Sequence, residues 1–97
     1  MSAWYVYFVR AADGVLYAGI STDVDRRLDE HTHGRGSKFL RGRGPLAIAY
    51  QRKVGEHGLA LRVERGLKRL KKAEKEALVL AAPPRSALLR TLGLAIR

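Results

Sequence analysis

The sequence predicts a small α+β domain, and three observations predict it. Segments of strand and helix character follow one another as strand, strand, helix, strand, helix, helix. The first two strands are close enough, across an Asp13-Gly14 turn, to form a hairpin. At 97 residues the chain can hold a single modest core and has no room for a separate substrate domain.

Trp4 to Arg10 is rich in aromatic and β-branched residues and reads as the first strand, with Val15 to Gly19 as the second. Register decides whether their tyrosines share a face. A two- or four-residue loop would pair odd with even positions and put Tyr7 and Tyr17 on opposite faces. A three-residue loop, Ala12-Asp13-Gly14, with Gly14 left-handed, puts them on the same one, and that loop is expected. Ser21-Thr22-Asp23 offers capping oxygens, so a helix is expected from about Asp23 to His33, stopped by Gly34. Val24 and Leu28 mark its buried stripe, with Arg27 and His31 flanking that stripe one turn apart.

Leu46 to Tyr50, opened by Pro45, reads as a third strand, and a helix should follow from about Gly58 to Leu70. Ala60, Val63, Leu67 and Leu70 form its inner stripe, and Glu64 falls inside that apolar arc while Arg62, Arg65 and Arg69 take the far side. A carboxylate there either coordinates a cation or pairs with Lys68 one turn on. Gly66 costs this helix about 1 kcal/mol relative to alanine, which close packing or a bend would explain. A third helix near Ala73 to Ala81 ends at Pro83-Pro84. Beyond it, Arg85 to Arg97 with Leu88, Leu89, Leu92 and Ile96 reads as a short helix, with Ser86 as its cap, or as a tail. The expected organisation is one domain over 1–82 followed by that segment over 83–97.

Composition bounds the function. No cysteine is present, which excludes disulfides, thiolate zinc sites and cysteine nucleophiles, so any metal must sit on oxygen or imidazole ligands. No apolar run approaches the length of a membrane span, and Met1-Ser2-Ala3-Trp4 lacks the start of a secretory signal, so a cytoplasmic protein is expected. Nineteen Lys and Arg against nine Asp and Glu give a formal charge of +10, which points to a polyanionic partner. From Thr32 to Gln51 the only charges are Arg35, Lys38, Arg41 and Arg43, interleaved with glycines. Such a loop can lay cations along a phosphodiester chain or be merely solvated. Lys68, Lys71 and Lys72 open a second basic cluster.

Phenols at Tyr7 and Tyr17, a guanidinium at Arg27 and an imidazole at His31 make a phosphate-handling set, with Glu64 downstream. Their order, together with Tyr17-Ala18-Gly19, resembles the GIY-YIG nuclease superfamily, in particular its small stand-alone bacterial branch, over roughly Trp4 to Lys75. Tyr7 matches the tyrosine of the first motif, and Tyr17 and Gly19 match the second. Tyr5 stands for the family's glycine and Ala18 for its isoleucine. Leu40 and Thr32 replace a hydroxyl residue and an asparagine often found in the small branch, which bears on substrate choice.

The resemblance implies a small three-stranded antiparallel sheet flanked by helices, and metal-dependent hydrolysis of phosphodiesters by water. In it Arg27 and His31 fall at the catalytic arginine and histidine, and Glu64 at the metal-binding glutamate. One Mg²⁺ or Mn²⁺ on Glu64 would be completed by phosphate oxygens and water. Tyr17 is the preferred general base, although an ordinary phenol near pKa 10 needs a neighbouring cation before it can take a proton at neutral pH. Arg27 would supply that field and brace the phosphoryl oxygens, with Tyr7 and His31 orienting the reactants. DNA is expected as substrate ahead of RNA, in repair or recombination. A second reading keeps the fold without turnover, as a basic nucleic-acid-binding module. A third is a subunit docking through its C-terminal leucines.

Overall fold

β1 (Trp4–Arg10) is the centre of the molecule, because both neighbouring strands pair with it antiparallel in the order β2-β1-β3. The computed structural model describes residues 2–94; Met1 and 95–97, including the Ile96 expected in the last helix, lie outside the described residues. β2 (Leu16–Ser21) pairs Tyr7 with Gly19 and Val9 with Tyr17, so odd positions oppose odd and the two tyrosines share a face. Closure is by the expected three-residue loop: Ala11 N–H donates to the Val15 carbonyl at 2.9 Å, Gly14 N–H to the Ala11 carbonyl at 2.9 Å, and Gly14 takes φ +89°.

β3 (Ala47–Gly55) runs five residues past the strand expected to stop at Tyr50. Gln51, Arg52 and Lys53 look like a loop by composition, yet β1 offers partners as far as Trp4, and charged side chains suit an exposed edge strand. The sheet's even-numbered face, with Val6, Phe8, Leu16, Ala18, Tyr50 and Val54, is covered by α2 (His57–Arg69), α3 (Lys72–Ala81) and α4 (Arg85–Thr91). Leu88 and Leu89 of α4 are buried in that core. Pro84, not Ser86, stands at the N-cap of α4, where a proline costs nothing because the first N–H groups of a helix lack partners anyway. Gly66 is explained by packing: a Cβ there would lie 3.3 Å from the methyls of Leu92.

The other face carries Tyr7, Val9 and Ala11, and is covered by α1 (Val24–Thr32) and by the glycine-rich loop, whose Leu40 is 1% exposed. Asp23 caps α1, accepting from Arg26 N–H at 3.0 Å. Arg10 grips Glu76 through two bonds of 2.8 and 2.7 Å, tying the hairpin to α3. Among the described residues no helix is long and apolar enough to cross a membrane.

Candidate active site

His31 was expected beside the buried stripe of α1 and is instead part of it, 2% exposed, while Leu28 is only partly covered. The cause is the loop, which folds back so that Ser37 N–H donates to His31 Nδ1 at 3.1 Å. Gly36 makes room for the ring, since a Cβ at that position would fall 2.1 Å from Nδ1. An Nδ1 that accepts carries no proton, so neutral His31 holds its proton on Nε2 and donates to the Tyr7 hydroxyl oxygen at 3.1 Å. Burial, then the charge of Arg27, pushes the His31 pKa below its ordinary value, which keeps this tautomer neutral.

Tyr7 lies across the neighbouring strand. A Cβ on Gly19 would be 2.4 Å from its hydroxyl oxygen, so the glycine of Tyr17-Ala18-Gly19 is the seat of the Tyr7 ring. Burial raises the Tyr7 phenol above its usual range; Arg27 beside it offsets part of the rise, and the proximity of Tyr17 and Glu64 adds to it. Arg27, Tyr17 and Glu64 thus each lie within electrostatic reach of the Tyr7 hydroxyl. Tyr17 is half-buried, its ring edge-on to His31 with centroids 5.8 Å apart. Among the described residues nothing is hydrogen-bonded to its hydroxyl. Arg27 is 39% exposed and meets Glu30 at 3.1 Å.

Glu64 sits at the margin of the α2 core, 21% exposed, and meets Lys68 at 3.7 Å. A helical pair of this kind is worth about 0.3–0.5 kcal/mol, so it yields readily to a stronger cation. Among the described residues no three His, Asp or Glu side chains converge. The donor set therefore fits a hard divalent ion shared with a substrate's phosphate, and does not fit a resident ion caged by protein.

The loop cations are less free than their spacing suggests. Arg43 bonds Asp13 at 2.6 Å and stacks on Phe39, and Arg35 lies 3.6 Å from Asp29. Lys38 and Arg41 are exposed, as are Lys71 and Lys72 at the start of α3. Phe39, absent from the sequence reading, stacks on Tyr17 with centroids 5.7 Å apart and is itself 45% exposed. A lone aromatic in a loop rich in glycine and cations was the available signal. Gly36 and Ser37 gave none, because their role exists only once the loop has folded back over His31.

The model of the GIY-YIG catalytic domain matches residues 3–77. This chain belongs to the GIY-YIG family. It is 50% identical over 92 residues to a UPF0213 protein of Citrobacter koseri, covering 95% of this chain and 92% of that one. It is 48% identical to the UPF0213 protein YhbQ of Salmonella typhimurium over the same shares. The solution NMR structure of a UPF0213 protein from Bacillus halodurans is similar at a TM-score of 0.54 and 39% identity, covering 81% of this chain and 84% of that one. GIY-YIG domains are generally nucleases, which implies a nucleic-acid substrate and, in general, a divalent metal.

Proposed function

We propose that this GIY-YIG domain is a divalent-metal-dependent endonuclease that hydrolyses phosphodiester bonds of DNA, in repair or recombination. The observation that carries the reading is the relay Ser37 N–H to His31 to Tyr7, built beside Tyr17 and Arg27 and within the field of Glu64. Tyr7 accepts from His31, so its own proton is free to be donated to a phosphate oxygen or to hold the attacking water in line. Among the described residues the Tyr17 hydroxyl has no protein partner, which favours Tyr17 over Tyr7 as the group that takes the water's proton. Arg27 braces the phosphoryl oxygens as negative charge builds on them, and its field favours the anionic form of a phenol beside it. Glu64 would hold Mg²⁺ or Mn²⁺, which supplies charge stabilisation at the leaving oxygen. Lys38, Arg41, Lys71 and Lys72 offer exposed cations to the flanking phosphates, with Arg35, Arg43 and Lys68 able to join by leaving weak surface pairs.

The test is incubation with duplex, branched and single-stranded DNA and with RNA, first with Mg²⁺ or Mn²⁺ and then with chelator. Cut products that vanish on chelation and in Tyr17→Phe and Glu64→Gln, while binding persists, are expected. Binding without products under any metal contradicts the reading and leaves a nucleic-acid-binding module.

A further inference from the structure

α2 buries Leu59, Ala60, Val63 and Leu67 against the sheet face opposite the tyrosines. Its outer side carries Arg62, Arg65 and Arg69, all exposed, within an arc of about 60° and along about 10 Å of helix. Arg10, Arg27, Arg35 and Arg43 each meet a carboxylate, whereas among the described residues no acid pairs with any of these three. Like charges three and four positions apart on a helix repel, so α2 carries an uncompensated penalty that a bound polyanion would remove. The three arginines line a cavity of about 170 Å³, with Leu92 and Leu94 in its wall, and Gly66 lets Leu92 approach. An apolar wall beside a guanidinium rim matches a sugar-phosphate backbone, whose sugar carbons alternate with anionic groups. The span of the arginines equals the axial length of about three base-pair steps.

We propose that the outer face of α2 is a second nucleic-acid-binding face, seating a second DNA segment while the first lies across Tyr17 and Arg27. The proposal deepens the nuclease reading and rests on it, since it names the substrate class as two DNA arms held by one protein. The arginine arc points away from the sheet, whereas Tyr17 and Arg27 belong to the sheet's other face, with Glu64 and Lys68 on the flank of α2 between them.

Bridging tests this directly. Wild-type protein is mixed in chelator with a bead-bound duplex and a fluorescent duplex, and the fluorescence carried to the beads is measured, with sedimentation giving the protein-to-DNA ratio. Single proteins are expected to carry the second duplex, and R62Q/R65Q/R69Q to lose at least tenfold of that transfer while still cutting linear duplex. R62K/R65K/R69K should restore transfer, and the salt dependence of capture should become shallower by about 2.7 in the glutamine variant, at roughly 0.9 per phosphate contact. Unchanged transfer by the glutamine variant, or transfer only by paired proteins, overturns the proposal. Since chelator stops cleavage, failure to bridge counts against the second face alone, and failure to cut with metal counts against the nuclease reading alone.

Discussion

The two faces of one small sheet are put to opposite uses. Alternate residues of β1 divide the work: Val6 and Phe8 enter the larger apolar cluster with α2, α3 and α4, while Tyr7 turns to α1 and the loop, where a histidine is buried to meet it. One face is close-packed and apolar, and the other sets a polar relay, seated by two glycines, into a smaller apolar cluster with Val9, Ala11, Val24 and Leu40. On the proposed nuclease reading, chain stability and phosphate chemistry fall to different side chains of the same strand, so substitutions on the two faces should fail in different ways.

The largest separation is expected from Phe8→Ala. Phe8 is fully buried, and emptying its site should cost about 3–5 kcal/mol in urea unfolding, enough to threaten the fold of so short a chain. Arg27→Ala, on the other face, should lower cleavage about 10²–10³-fold with the unfolding midpoint nearly unchanged, because Arg27 is half exposed. If Arg27→Ala unfolds the protein, or Phe8→Ala leaves it intact, the division of labour is wrong.

Gly19→Ala sharpens the comparison, because it touches stability and chemistry together. The added methyl would strike the Tyr7 hydroxyl, so a loss of about 1–3 kcal/mol is expected along with loss of cutting. Retention of both in kinetics and melting would show that Tyr7 does not need its seat.

The smallest effect is acid sensitivity from His31. Its native pKa lies below the ordinary 6.5, so its contribution to stability is complete above about pH 6.5 and is lost as pH falls through the lowered native value. Protonation also places a proton on Nδ1 facing Ser37 N–H and breaks the relay. Unfolding free energy measured from pH 7.5 to 5 should fall, and His31→Gln should flatten that slope. An equal slope in the variant would assign the acid sensitivity elsewhere.

Much of this was legible in the chain because it depends on local rules. Asp13-Gly14 and the odd-to-odd register followed from turn chemistry, and Asp23 acts at the start of α1 as its side chain predicts. The order of elements and the family motifs followed likewise. What escaped depends on distant contacts. Gln51 to Lys53 became strand only because β1 extends alongside them, and His31 became core only because the loop returns over it. The same return brought Phe39 onto Tyr17 and gave Arg43 to Asp13, neither of which composition could reveal. Helical periodicity put Glu64 inside the apolar arc of α2, whereas it stands at the margin of that arc, 21% exposed and 3.7 Å from Lys68, the pairing that was one of the two alternatives.

The convergence of Tyr17, Arg27 and Glu64 on one scissile phosphate is tested most directly by crystals of Tyr17→Phe with a short DNA duplex and Mn²⁺. The account predicts an anomalous Mn²⁺ peak on Glu64, sharing a phosphate oxygen with DNA that also reaches Arg27 and Tyr7. A phosphate bound away from the Tyr7 and His31 pair, with Glu64 still turned to Lys68, would contradict it.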